Sequence, residues 1–130
     1  MDIGQRALDY HKSGYNCAQS VFAACCEYTG IDEKTALALS AGFGGGARSG
    51  ELCGAVTGAI MAEGLVFPFN DGQDTEAKDK IAAIAKQCVT IAREKYGYVR
   101  CADLKGNIDC SEIIAFMAKT AEDIMKKEKN

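Results

Sequence analysis

The sequence has one histidine, one proline and no tryptophan. With His11 as the lone histidine, on a polar stretch, catalytic triads that need a histidine base have little support. No apolar run approaches the ~20 residues that a membrane span requires, and the N-terminus lacks the basic-then-apolar order of a secretory signal. Lys and Arg total 15 against 18 Asp and Glu, with no basic stripe. We therefore predict a cytoplasmic protein that neither spans a membrane nor binds nucleic acid.

Strand patterns are also scarce, because no segment alternates apolar and polar residues over a useful length. The chain has 130 residues, 48% of them hydrophobic and 25% charged, which fits one globular domain with its own core. We predict an all-α fold in which residues 1–130 form a single-domain bundle of about five to six helices.

Apolar residues at helical spacing, together with capping residues, place the helices along the chain. The predicted helices begin near these positions: Ile3, Asn16, Asp32, Glu51, Asp74 or Thr75, and Cys110. The second of them extends to Gly30 and the longest ends at Gly97. Residues 42–50, rich in glycine, predict a loop before the fourth helix. Gly54 and Gly58, four residues apart in that helix, predict close approach by another helix.

The seven cysteines fall into two groups. Cys17, Cys53 and Cys110 lie at predicted helix N-termini, where the helix dipole favours a thiolate and lowers the thiol pKa. Cys101 lies in an irregular connection over residues 98–109, where the backbone is free to deliver a ligand. The other three are predicted to be packing residues inside helices: Cys25, Cys26 and Cys88. No C-x-x-C pair occurs, so a thioredoxin motif and a zinc ribbon are poorly supported.

Successive glycines allow backbone N–H groups to form a concave anion site. Gly44, Gly45, Gly46 and Arg48 are therefore candidate residues for binding a small anion. The alternative is structural, with flexible backbone passing close to packed helices. A dinucleotide fingerprint is rejected because a helix precedes the glycines where a strand is required, and no Lys-Ser or Lys-Thr completes a P-loop.

Three segments together carry a family resemblance: GYNCAQ at residues 14–19, GFGGG at 42–46 and CGAVTG at 53–58. With the two late cysteines, they resemble the redox-active family named C_GCAxxG_C_C for its cysteine pattern. The resemblance implies a small prokaryotic all-helical protein with four characteristic cysteines, here Cys17, Cys53, Cys101 and Cys110. The stretch between the last two is shorter than in many relatives.

The leading hypothesis is a redox protein in which these four thiols converge. They would act either as catalytic dithiols or as ligands of an iron–sulfur cluster or another thiophilic metal. A second hypothesis is a small-anion binding module that uses residues 42–50, with structural cysteines. A third is a helical interaction subunit without chemistry. The redox partner, a protein or a small molecule, is not identified, and a homo-oligomer stays open.

Overall fold

The computed structural model describes residues 2–129, and across them the protein is helical with no β-strand, which confirms the all-α prediction. Eight α-helices occur in this range, two more than the upper limit expected. Their bounds are α1 Ile3–Lys12, α2 Cys17–Ala24, α3 Cys26–Thr29, α4 Glu33–Ser40, α5 Gly54–Val66, α6 Thr75–Tyr96, α7 Cys101–Leu104 and α8 Cys110–Lys129. None of these described helices is both long and apolar enough to cross a membrane.

The two additional helices are single turns. The predicted second helix is interrupted at Cys25, whose N–H bonds the Phe22 carbonyl three residues back, and the chain then forms α3 as far as Gly30. The connection expected to be irregular contains α7, in which the Lys105 N–H bonds the Cys101 carbonyl at 2.9 Å. The prediction that Cys101 lies in irregular backbone is therefore wrong, because Cys101 is the first residue of a helix.

The predicted capping residues act as expected. Asn16 and Gln19 form a reciprocal capping box at the start of α2, in which each side chain accepts from the backbone N–H of the other residue. Asp32 caps α4, and Asp74 rather than Thr75 caps α6. Gly97 ends α6 in the left-handed conformation, with φ of 81°. These short-range signals fix where α2, α4 and α6 begin and where α6 ends.

The fourth predicted helix begins later than expected, at Gly54 instead of near Glu51. Cys53 is its N-cap residue, because the preceding backbone pairs with the segment before α7. The Cys53 N–H donates to the Val99 carbonyl at 2.8 Å, and the Cys101 N–H donates to the Glu51 carbonyl at 2.7 Å. Cys53 and Cys101, which are distant in sequence, are thus held on adjoining segments of backbone.

Close packing of α2 against α5 confirms the prediction made from the two spaced glycines. A Cβ atom at Gly54 would lie 3.1 Å from the Ala18 nitrogen, and one at Gly58 would lie 2.7 Å from the Ala18 oxygen. The absence of side chains at these two positions lets the helix backbones approach. Around this contact the buried core includes Phe22 and Ile114.

Candidate functional site

Each of the four cysteines singled out by the family pattern stands at the start of a helix. Cys17, Cys101 and Cys110 are the first residues of α2, α7 and α8, and Cys53 is the N-cap of α5. The sequence predicted this position for three of them and missed it for Cys101. Four helix N-termini therefore present thiols, and the packing of those helices decides whether the thiols meet.

The thiol of Cys17 has the other three as electrostatic neighbours. Its pKa is raised to about 12, mainly by burial and in addition by Cys110, Cys53 and Cys101. Such coupling falls off steeply with separation, so it indicates that the four thiols occupy one region of the protein. The close contact of Gly54 with the Cys17 Cβ atom, 3.3 Å from an added Cβ, supports the same arrangement.

Cys53 is only 5% exposed, and this burial raises the pKa of its thiol. The backbone N–H groups of Ala55 and Val56, at the start of α5, act in the opposite direction but are outweighed. Among the thiols, Cys101 perturbs it more than Cys110 does. Cys101 and Cys110 therefore lie near both Cys17 and Cys53.

The predicted lowering of the pKa at helix N-termini is wrong for Cys17 and Cys53. Both thiols are largely shielded from water. The free-energy cost of burying a thiolate there exceeds the stabilisation that the helix dipole provides. Neighbouring thiols add to the cost, because forming one thiolate disfavours a second close by. In the reduced protein the thiols of Cys17 and Cys53 are therefore held in the neutral form at physiological pH.

Exposure distinguishes the four thiols further. Cys110 is exposed to solvent, whereas Cys17 and Cys101 are half-buried and Cys53 is buried. All four are free thiols in this structure. A reagent arriving from solvent therefore has more direct access to Cys110 than to Cys53.

The three cysteines outside the family pattern largely behave as packing residues. Cys25 and Cys88 are fully buried, as predicted. Burial raises the pKa of both, to about 12 for Cys88, with the carboxyl group of Glu63 adding to the shift. Cys26 is half-buried at the start of α3, and its pKa is also raised by burial.

As a donor set, four thiols suit tetrahedral zinc or an iron–sulfur cluster, both of which accept thiolate ligands alone. Geometry is less favourable, because no group of three or more His, Cys, Asp or Glu side chains within residues 2–129 is arranged to hold a metal ion. The chemistry of the residues therefore fits a thiophilic metal, while their present arrangement fits a cluster of thiols.

The glycine-rich stretch forms a left-handed turn. Gly45, Gly46, Ala47 and Arg48 all have φ between 59° and 65°. Gly44 packs against Asn16, where an added Cβ would lie 2.4 Å from the side chain, and Gly46 is equally close to the Glu51 backbone.

Two of the four predicted anion-binding residues, Gly45 and Arg48, line a surface cavity of about 330 Å³. The remaining lining residues are Gly50, Cys101, Ala102 and Lys105. Gly44 and Gly46 are not among them, because both are buried, Gly44 against the Asn16 side chain and Gly46 against the Glu51 backbone. The cavity brings one of the four thiols beside two cationic side chains.

Sequence reasoning missed Lys105 and Glu63. Lys105 follows Cys101 by four residues, a spacing that places both on one side of a helical turn, but α7 is too short to show a periodic pattern. Glu63 is fully buried, although a glutamate side chain is ordinarily charged at neutral pH. Its place seven residues after Val56, on the buried side of α5, is the signal that could have identified it.

Comparison with known proteins is consistent with this site. The profile of the C_GCAxxG_C_C family, described as "Putative redox-active protein", matches residues 15–124. A chain from Archaeoglobus fulgidus, named "Uncharacterized protein", is 27% identical over 142 aligned positions that cover 96% of this chain and 94% of the relative. No solved structure gives a significant match. The chain belongs to the C_GCAxxG_C_C family.

Proposed function

We propose that Cys17, Cys53, Cys101 and Cys110 form one redox site that alternates between dithiol and disulfide states. The observation that carries this proposal is that thiols at the starts of four separate helices lie close enough to interact, Cys17 with the other three and Cys53 with Cys101 and Cys110. Packing alone does not require cysteine at four such positions, since the fully buried Cys25 and Cys88 serve that purpose elsewhere. The chemistry of the site is therefore thiol chemistry.

The Cys17 and Cys110 pair forms the solvent-facing half of the site. The Cys110 thiolate attacks a disulfide in a small molecule or a partner protein, breaking that S–S bond and releasing one thiolate. Cys17 then loses its proton to solvent and attacks the Cys110 sulfur, which releases the second thiolate and leaves a Cys17–Cys110 disulfide. Two electrons pass from the protein to the external disulfide, and the reverse sequence restores the dithiol.

The Cys53 and Cys101 pair forms the inner half. Its link to the first pair is Cys17, which is coupled to both Cys53 and Cys101. Exchange between a disulfide in one pair and a dithiol in the other needs no further oxidant, because one S–S bond forms as another breaks. We place this cycle in the cytoplasm of a prokaryotic cell, where the surrounding thiol pool keeps such cysteines reduced.

A second candidate function is ligation of a thiophilic metal by the same four residues, favoured by a donor set of four sulfur atoms. An iron–sulfur cluster bound there would supply one-electron transfer. The protein would contribute four sulfur ligands, each at the start of a helix. The burial of Cys53 would exclude water from that side of the site.

The two functions are separated by analysing protein purified without oxygen. Metal content and free thiols are measured first, and the protein is then oxidised with a stoichiometric disulfide reagent and its disulfides mapped by mass spectrometry. We expect no stoichiometric metal and disulfides between Cys17 and Cys110 and between Cys53 and Cys101.

A matched pair of variants controls the mapping. Cys110→Ser removes a thiol of the proposed site, whereas Cys26→Ser removes a half-buried thiol outside it. We expect Cys110→Ser to lose one disulfide and Cys26→Ser to retain both. Stoichiometric metal that Cys110→Ser fails to hold would favour the second candidate. Four thiols that stay free, with no metal, would contradict both functions.

A further inference from the structure

The cavity beside α7 has features that the redox cycle alone does not use. Its volume is about 330 Å³, and its walls come from the left-handed turn on one side and α7 on the other. This volume lies at the lower end of the range for small-molecule sites, so it suits one small polar group better than a large organic ligand. One wall contains Cys101, a member of the inner thiol pair.

The charges around this cavity are of one sign. Arg48 and Lys105 line it, and none of the six lining residues is acidic. Both side chains are exposed, and within residues 2–129 neither forms an ion pair or a side-chain hydrogen bond. Arg100, which lies close in sequence, is instead paired with Glu51 at 3.3 Å. The cavity therefore offers two cationic groups that no described carboxylate neutralises.

We propose that this cavity binds the anionic group of a low-molecular-weight disulfide and places the S–S bond of that molecule at Cys101. The proposal rests on the redox function proposed above and names the substrate class of the inner thiol pair. Arg48 and Lys105 supply the recognition, since a guanidinium and an ammonium group bind carboxylate or phosphate oxygens. Gly45 and Gly50 leave room for the ligand to approach the backbone.

The reaction at the cavity is a balanced two-electron exchange. The Cys101 thiolate attacks the nearer sulfur of the bound disulfide, its S–S bond breaks, and the distal half leaves as a thiolate. Cys53 loses its proton to solvent and attacks the Cys101 sulfur, which releases the anion-bearing half as a second thiolate. A Cys53–Cys101 disulfide remains, and the substrate has gained two electrons.

Reaction with two aromatic disulfides tests this proposal. The reduced full-length protein is mixed with the anionic dithiobis(nitrobenzoate) or the neutral dithiodipyridine, quenched with iodoacetamide, and analysed by mass spectrometry for labelling at each cysteine. Cys101 should prefer the anionic reagent relative to Cys110, which is exposed and does not line the cavity. In the double variant Arg48→Glu and Lys105→Glu, the rate at which the anionic reagent reacts with Cys101 should fall by about tenfold or more. The rate of the neutral reagent should stay unchanged.

Lys86→Glu is the control, because Lys86 is exposed on α6 and does not line the cavity. It should change neither rate. Should the double variant fail to fold, raising the ionic strength of the wild-type protein should slow only the anionic reaction at Cys101. Inorganic phosphate and acetate are then added at constant ionic strength to the reaction of the anionic reagent at Cys101. Inhibition by phosphate would indicate that the anionic group of the substrate is a phosphate, and inhibition by acetate would indicate a carboxylate.

The outcomes separate this proposal from the redox function. Equal rates for the two reagents at Cys101, unaffected by the charge reversal, would overturn the anionic substrate while leaving the redox site intact. Inhibition by neither phosphate nor acetate would also contradict it. Failure of both reagents to oxidise any of the four thiols would instead remove the redox function itself.

Discussion

Gly58 of α5 lies against Ala18 of α2 so closely that a Cβ atom added to Gly58 would stand 2.7 Å from the Ala18 carbonyl oxygen. Ala18 directly follows Cys17, and the same pair of helices brings Gly54, which directly follows Cys53, against Ala18 as well. The crossing of α2 and α5 therefore sets the separation of two thiols of the site. Small residues at this crossing serve the redox site as well as the core.

The substitution Gly58→Ala tests this contact. The added methyl group has no space beside the Ala18 carbonyl, so we expect the free energy of unfolding to fall by roughly 1–3 kcal/mol in denaturant titrations. Gly64→Ala is the control in the same helix, since an added Cβ there meets no described atom within 4 Å apart from the adjacent residues and the backbone of its own helix. It should raise stability by up to about 1 kcal/mol, because alanine favours helix. Equal effects of the two changes would contradict the close approach.

The left-handed turn predicts a stabilising substitution. Ala47 has φ of 59°, a conformation that costs a non-glycine residue roughly 1–2 kcal/mol, and its side chain is exposed. Ala47→Gly should therefore raise the free energy of unfolding by about 1 kcal/mol. The control is Ala82→Gly, at an exposed site within α6, which should lower stability by about 1 kcal/mol. A loss of stability with Ala47→Gly would argue against the turn.

The fold could be predicted where the sequence signal is local and repeated. Asn16 and Asp32 were identified as caps, and Gly54 with Gly58 as a close helix contact, because each depends on a few neighbouring residues. The single turns α3 and α7 could not be predicted, since one helical turn shows no period. The family resemblance selected the four cysteines as a group, and each of them lies at the start of a helix. The raised pKa values of Cys17 and Cys53 could not be predicted, because they depend on burial and on neighbouring thiols, which only tertiary packing determines.

Alkylation rates follow from this corrected picture of the thiols. Iodoacetamide reacts with the thiolate, so a raised pKa and burial both slow labelling. In the folded, reduced, metal-free protein at neutral pH we expect Cys110 to be labelled first, since it is exposed. Cys53 should be labelled far more slowly, and Cys25 and Cys88 slowest of all. Mass spectrometry of timed samples gives the order of labelling. Faster labelling of Cys53 than of Cys110 would contradict this order and support the sequence-based prediction that a helix N-terminus activates the Cys53 thiol.

The carboxyl group of Glu63 is an unusual feature of the core. Its side chain is fully buried, and within residues 2–129 neither carboxylate oxygen has a hydrogen-bond partner. Burial raises its pKa from 4.5 to about 8, and the negative charge of Glu128 adds to the shift. Cys25 and Cys88 are near enough that Glu63 raises the pKa of each. The neutral acid is therefore the form that the folded protein favours at neutral pH.

A dependence of stability on pH follows. Between about 4.5 and about 8 the folded protein holds the Glu63 proton while the unfolded chain has released it. The folded state therefore binds more protons in this range, so the free energy of unfolding should fall as pH rises through it and level off above. Glu122 has a lowered pKa, so its own contribution is lost only at more acidic pH.

Glu63→Gln isolates this effect, because glutamine has nearly the same shape and no titrating group. We expect the variant to lose most of the fall in stability between pH 5 and pH 8 and to exceed the wild-type protein at the alkaline end, as measured by thermal unfolding across that range. Glu94→Gln, at an exposed site on α6, should retain the wild-type slope. A wild-type protein that gains stability from pH 5 to pH 8 would mean that Glu63 is ionised in the fold, and the core would then need a buried cation to hold it.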